Sequence, residues 1–235
     1  MNEDQERNDY LDIKYDEKNK PFTDFPYNLA KHLLEKFKIK KGNKLLEIGC
    51  GRCEMLNSFG KLGLDISAVD ISERVKNYVP KNISRLEILD ITKEKLPFDD
   101  NGFDIIFTKS VIEHIHDPTH LMKEIYRILK PGGIIIVLTP DWVSQMNMFY
   151  EDPTHVHPYQ PKGLEDLLTI SGYKKTNSEI FYYHELLWKS FFWRFIAAIL
   201  RKCISAKRGR DLTNSTKIKL FRWSVEKQIL GYGYK

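Results

Sequence analysis

Short, near-continuous apolar runs mark the middle of the chain: KLLEI (Lys44–Ile48), ISAVDI (Ile66–Ile71), RLEILDI, FDIIFT and, after Gly132, GIIIVLT. Each has the length and character of a strand buried on both faces. Between them, apolar positions recur at helical spacing. The clearest case is PTHLMKEIYRILK, where Leu121, Ile125, Ile128 and Leu129 share one face and Pro131-Gly132-Gly133 ends the run. Strands alternating with helices predict an α/β fold with a mostly parallel sheet covered on both sides.

The last third breaks the alternation. YKKTNSEIFYY and the closing EKQILGYGYK read as two strands, separated by a helical insertion at about residues 186–221. On a helical wheel its core, LLWKSFFWRFIAAILRKCIS, puts Arg194, Arg201 and Arg208 on one stripe. Trp188, Phe192, Phe195, Ile196, Ile199, Leu200 and Cys203 fill the opposite arc. Two readings follow: a helix packed on the domain, or an interfacial helix with peripheral membrane contact through residues 186–204. At the other end, residues 1–26 read as a polar tail or lid. A single domain then spans 27–235, opening on the helix PYNLAKHLLEKF.

Composition narrows the classes. A chain of 235 residues that is 42% hydrophobic suits one domain with a real core. Three cysteines do not make a secreted disulfide framework. The first residues are too polar for a signal peptide, and no run reaches the roughly 18 apolar residues of a membrane span. The expectation is a cytoplasmic protein, membrane-peripheral if the insertion lies on lipid. The net charge of +5 is mild, and no basic groove with interleaved aromatics lies outside the insertion, so nucleic acid is not expected as a partner.

The loop in LLEIGCGRCEM follows a strand and precedes a helix, where open sheets bind ligands. Gly49 and Gly51 fit the start of a dinucleotide fingerprint, but Glu54 takes the third glycine's place and Glu47 precedes the turn. Two acids at that point would repel a pyrophosphate, which disfavours an NAD-dependent oxidoreductase. A P-loop is excluded because no Gly-Lys-Ser/Thr follows. Asp70, 21 residues beyond Gly49 at the tip of the second strand, is placed to accept ribose hydroxyls. A nucleoside with a ribose, a positive charge and no phosphate is S-adenosylmethionine. Cys50 and Cys53 also form C-x-x-C at a helix N-terminus, which would lower a thiol pKa and permit redox chemistry. A small residue at each position already explains them, and no second C-x-x-C supports zinc.

Taken together, Glu47-Ile48-Gly49-Cys50-Gly51-Arg52-Cys53, Asp70, Asp90-Ile91, FDIIFTKSVIEHI and Leu129-Lys130-Pro131-Gly132-Gly133 resemble the class I methyltransferases over roughly residues 27–183. Cys53 stands where a third glycine is usual. The resemblance implies a doubly wound, mostly parallel, seven-stranded Rossmann-like sheet with the helical insertion before its last strand. It also implies S-adenosyl-L-methionine as cofactor. Glu47, Gly49 and Gly51 would line its methionine and sulfonium end, and Asp70 would take the ribose with Ile71 against the adenine. Asp90 would face the adenine amino group beside Ile91, and Lys109 or Ser110 would close the methionine side. Alone, Asp70 reads equally as a strand-end turn residue and Asp90 as a helix cap.

Histidines cluster in EHIHDPTH (Glu113–His120) and DPTHVHP (Asp152–Pro158). Asp117-Pro118 and Asp152-Pro153 could simply start a helix and a turn. Alternatively His114, His155 or His157 could act as the base for a hydroxyl nucleophile. A third reading makes Glu113, His114, His155 and His157 metal ligands; no metal is the expectation. EDPTHVHPYQPKGLEDLL resembles a segment of methyltransferases from bacterial surface-polysaccharide clusters. The expected activity is therefore methylation of an oxygen on a sugar or lipid-linked glycan acceptor. A small aromatic or quinone-like hydroxyl is the second choice, and a non-catalytic nucleotide-binding module is the alternative from another class.

Overall fold

The computed structural model describes residues 21–235. Seven strands form one sheet in the order β3-β2-β1-β4-β5-β7-β6. They are β1 (Lys44–Ile48), β2 (Asp65–Asp70), β3 (Arg85–Ile88), β4 (Phe103–Lys109), β5 (Leu129–Pro140), β6 (Lys174–Tyr182) and β7 (Lys227–Tyr234). Contacts within the chain group into two units. One takes the residues up to Lys109 with 118–136 and 234–235; the other takes 110–117 and 137–233.

In the first unit β1 pairs in parallel with both β2 and β4, and β2 with β3. Leu45, Leu46, Ile48, Ile66, Val69, Ile105 and Ile106 are all buried, as continuous apolar runs require of a sheet covered on both faces. The covering helices are α1 (Phe25–Phe37), α2 (Glu54–Lys61) and α3 (Thr119–Ile128). Each sinks one stripe: Leu29 and Leu33 from α1, Leu56 and Phe59 from α2, Leu121 and Ile125 from α3. Phe59 meets Phe107 of β4 edge-on, 5.1 Å between centroids. Each such buried side chain contributes about 1.5–3 kcal/mol.

Helix α3 stops at Ile128 and β5 starts at once, so the helix does not run on through Lys130 as its spacing suggests. The reason lies at the far end of the chain. Gly132 N–H donates to Lys235 O and Lys235 N–H to Gly133 O, an antiparallel exchange that recruits Pro131-Gly132-Gly133 into the sheet. A Cβ on Gly133 would lie 3.0 Å from the carbonyl oxygen of Asp104 and closer still to Leu129, so only glycine fits there.

The second unit carries the insertion as four helices: α6 (Glu185–Lys189), α7 (Phe191–Cys203), α8 (Ala206–Thr216) and α9 (Leu220–Val225); α4 (Trp142–Gln145) and α5 (Pro161–Ile170) precede them. The apolar core read as one helix is broken at Ser190, whose backbone is extended. Buried Glu226 ties the insertion to β7, accepting from Arg210 at 2.6 Å and Arg222 at 2.8 Å. Arg194 donates to the carbonyls of Leu187 and Trp188, and Arg201 to that of Ser224. Arg194 and Arg201 thus bond to main-chain carbonyls, while Arg194 and Arg208 remain exposed. Phe192 and Phe195, which the packed-helix reading requires to be buried, are 63% and 58% exposed. Among the described residues no helix is long and apolar enough to cross a membrane. A tail or lid at 1–26 falls almost wholly outside the described residues; of that segment, Phe22 lies over the Arg52 guanidinium at 4.4 Å.

Candidate functional site

The β1–α2 loop is built from left-handed backbone. Gly49 has φ 73° and Gly51 φ 50°, conformations that glycine adopts without a Cβ clash. Cys53, in the place of the usual third glycine, takes φ 54° with a side chain. It holds there because it is fully buried and its Sγ lies 3.7 Å from that of Cys50.

Asp70, at the carboxyl end of β2, is held as an acceptor. Its Oδ2 takes the Gly51 N–H at 2.8 Å and its Oδ1 the Ser72 N–H at 2.9 Å. The Ile71 N–H and the Cys50 side chain also favour its ionised, accepting form. Ile71 beside it is 38% exposed, an apolar surface at the mouth of the loop. Glu47 is buried, and its Oε2 has no hydrogen-bond partner among the described residues. Burial pushes its pKa well above the usual carboxylate range, and the Cys53 thiol adds to this while Lys109 opposes it. A buried acid with an orphaned oxygen is stabilised by a cationic ligand. These residues fit the aminoacyl and ribose ends of S-adenosylmethionine.

Other sequence-predicted positions fare differently. Asp90 accepts from Thr92 N–H and Oγ1 and lies 3.4 Å from Lys93 Nζ, while Glu94 reaches back to the Asp90 N–H. That is an Asx turn with no helix after it, and Ile91 lies half-buried within it. Lys109 ends β4. Ser110 follows at φ 56°, its N–H bound to Leu138 O, a strained non-glycine position of the kind that gathers at functional sites. Glu54 is not a bare charge, because Arg52 pairs with it at 3.1 Å. Repulsion of a pyrophosphate therefore rests on Glu47.

The thiols are packed as buried neighbours. The Cys53 hydrogen bond and burial push the Cys50 thiol up, which outweighs the helix N-terminus. With Cys50 and Cys53 buried and Cys203 exposed, a thiol reagent is expected to label one cysteine in the native protein and all three in denaturant. Rapid labelling of two or more native thiols would contradict this packing.

The two carboxylates also set a pH dependence. Burial raises the Asp70 pKa against the opposing Ser72 and Gly51 N–H groups. Raised acids cost folding stability as pH climbs from the ordinary carboxylate range through the folded-state value. Cofactor binding has the opposite preference, since a cation and donating hydroxyls select the ionised forms. Affinity should fall as pH drops through these raised values, and binding near them should release protons. Calorimetry in two buffers of different ionisation enthalpy measures that release; its absence would remove these carboxylates from the site.

In the second unit the histidine segments are stitched together. Glu113 and His114 sit in a single 3₁₀ turn after β4, with Glu113 fully buried. The Glu113 carbonyl accepts the N–H groups of Val156 and His157 at 2.9 and 3.0 Å. His114 Nδ1 lies 3.1 Å from Thr154 O and 2.9 Å from Thr154 Oγ1, and His155 Nδ1 lies 2.7 Å from Phe149 O. The His114 and His155 rings are 4.8 Å apart. His157 stays out of this group: its Nδ1 faces His116 O at 3.3 Å and its ring stacks on Tyr159 at 4.4 Å. The two Asp-Pro-Thr-His copies differ in use. Pro118 caps α3 and His120 faces Glu94 O, whereas Asp152 folds a turn onto Thr154 that aims His155 inward. Sequence reading missed Tyr159, whose buried hydroxyl has no partner among the described residues. The available signal was alternation: His155, His157 and Tyr159 share one side of an extended segment.

This glycine loop and acid-tipped second strand sit in a mostly parallel seven-stranded sheet, the fold of class I methyltransferases. Residues 46–137 match the family model described as a methyltransferase domain. Among curated proteins it is 35% identical over 105 residues to a ubiquinone biosynthesis O-methyltransferase of Caulobacter vibrioides, covering 42% of this chain and 41% of that one. It is 32% identical over 115 residues to phosphoethanolamine N-methyltransferase 3 of Arabidopsis thaliana, covering 46% of this chain and 23% of that one. The chain spans about half or less of the length of such relatives. An S-adenosylmethionine-dependent methyltransferase from Archaeoglobus fulgidus has the same fold, with TM-score 0.63 at 22% identity over 95% of this chain and 99% of that one.

Proposed function

We propose that the protein is an S-adenosylmethionine-dependent methyltransferase acting on an oxygen of a sugar or lipid-linked glycan. The observation that carries the cofactor half is the pair Glu47 and Asp70, one orphaned and buried, the other pre-oriented by Gly51 and Ser72. When bound, the cofactor supplies an electrophilic methyl group on a sulfonium. Glu47, Gly49 and Gly51 would hold its cationic end, with Lys109 or Ser110 closing that side. Asp70 would hold the ribose, and Ile71 and Ile91 would flank the adenine with Asp90 near its amino group.

The oxygen acceptor is supported by the histidines that follow β4 and β5. Thr154 O, Phe149 O and His116 O accept hydrogen bonds only, so His114, His155 and His157 each carry the proton on Nδ1 and present Nε2 as a base. An imidazole in that tautomer can accept a hydroxyl proton. The glycan is supported by the likeness of residues 151–168 to polysaccharide-cluster enzymes, and its lipid link by α7. That helix presents Phe191, Phe192, Phe195 and Ile199 outward, with exposed Lys202 in its last turn and exposed Lys207 and Arg208 beyond its end. We read it as resting on an anionic membrane. The quinone-biosynthesis relative favours a second reading, an aromatic hydroxyl.

The test is transfer of labelled methyl from S-adenosylmethionine to nucleotide sugars and lipid-linked glycans, run beside catechols and quinols. Label in the sugar fraction is the expected result, and label only in the aromatics replaces the acceptor. Cofactor binding with no transfer to any acceptor would favour the non-catalytic module.

A further inference from the structure

We propose that Glu113, His114 and His155 together bind a divalent transition-metal ion. One candidate ligand atom from each lies within 4.8 Å of the other two. Two imidazoles and a carboxylate suit zinc, manganese or iron, and three protein ligands leave positions open for oxygen.

The hydrogen bonds prepare the donors. The carbonyl oxygens of Phe149 and Thr154 hold the His155 and His114 protons on Nδ1, which leaves Nε2 of each ring as the lone pair for a metal. Metal-binding histidines are ordinarily oriented by such a bond on the other nitrogen. Glu113 is oriented in the same way, its Oε2 accepting from Thr139 Oγ1 at 3.0 Å. The backbone bonds from Val156 and His157 to the Glu113 carbonyl fix the His155 segment against the turn that carries the other two ligands. Ligand atoms about 2.0–2.2 Å from a metal lie roughly 3.5 Å apart, so closure asks for side-chain shifts of about 1 Å.

A separate observation points to a ligand here. The Tyr159 hydroxyl is buried without a partner among the described residues, and its ring stacks on that of His157, two residues from His155. A phenol O–H in that segment would serve a ligand oxygen as donor. The three histidines then divide: His114 and His155 hold the ion, and His157 remains to accept a proton. An ion here would bind the acceptor's hydroxyl and acidify it. That role rests on the methyltransferase reading; the binding does not.

The experiment titrates chelator-treated protein with zinc, and separately with manganese, by calorimetry without cofactor. One equivalent should bind, with zinc tighter than about 10 μM, and cobalt should give the visible bands of nitrogen and oxygen coordination. His114→Gln and His155→Gln should each weaken zinc affinity at least about 100-fold, while His157→Gln and His120→Gln leave it within about twofold. Zinc should also raise the melting temperature of the wild type, a readout that survives if a variant fails to fold. Failure of both metals to bind wild type, or zinc affinity unchanged in the two ligand variants, overturns the site. S-adenosylhomocysteine binding measured on the same samples separates that failure from failure of the methyltransferase reading.

Discussion

Replacing Asp70 with alanine should weaken S-adenosylhomocysteine binding by about 1.5–3 kcal/mol, roughly 10- to 150-fold, because bonds to a charged acceptor are lost. The loss has two parts. The direct part is the ribose hydroxyls, which no longer meet a bidentate acceptor. The indirect part is the loop, since the carboxylate also takes the N–H groups of Gly51 and Ser72 and an alanine leaves both without it. Asp70→Asn separates them. It keeps an oxygen for one N–H but loses the charge and the second acceptor, so it should preserve the fold and still bind weakly. Calorimetry that shows unchanged affinity in the alanine variant would remove Asp70 from the site. Comparable affinity for NAD would remove the class, because buried Glu47 is the group that disfavours a pyrophosphate.

The cofactor half was legible because it is local. Strand lengths, glycines and strand-end acids lie close together in sequence, and parallel pairing forces their order onto one sheet edge. What was illegible depended on distant partners. Lys235 bonds Gly132 and Gly133 into the sheet just beyond the end of α3. Arg52 decides that Glu54 is a paired charge. The Val156 and His157 N–H groups bond the Glu113 carbonyl, yet it is the His155 ring that comes beside His114. The helical wheel left open whether the apolar arc of α7 faces the domain or the outside, for a similar reason. Arg194 and Arg201 are satisfied by carbonyls at Leu187, Trp188 and Ser224, and no periodicity count shows a free carbonyl.

That outward apolar face sets the last expectation. Phe191 is 85% exposed, Phe192 63%, Phe195 58% and Ile199 48%. On α7, residues 192, 195 and 199 share one face. Burying each of the exposed phenylalanines in lipid is worth about 1.5–3 kcal/mol. Each lysine or arginine held near anionic headgroups adds about 1 kcal/mol at low salt, and Lys202, Lys207 and Arg208 are exposed for this. The protein should therefore float with anionic liposomes, float less with neutral ones, and detach as salt screens the basic residues. Phe192→Ser with Phe195→Ser should abolish flotation. Because both rings are already in water, the double change should leave stability within about 0.5 kcal/mol for each site and cofactor affinity unaltered. A helix packed through those rings would instead lose several kcal/mol and melt early. Wild-type protein that ignores anionic liposomes, or a double mutant that unfolds, would sink the membrane reading. Either result would also withdraw the support that α7 lends to a lipid-linked acceptor, leaving a water-soluble sugar or aromatic hydroxyl to be tested in its place.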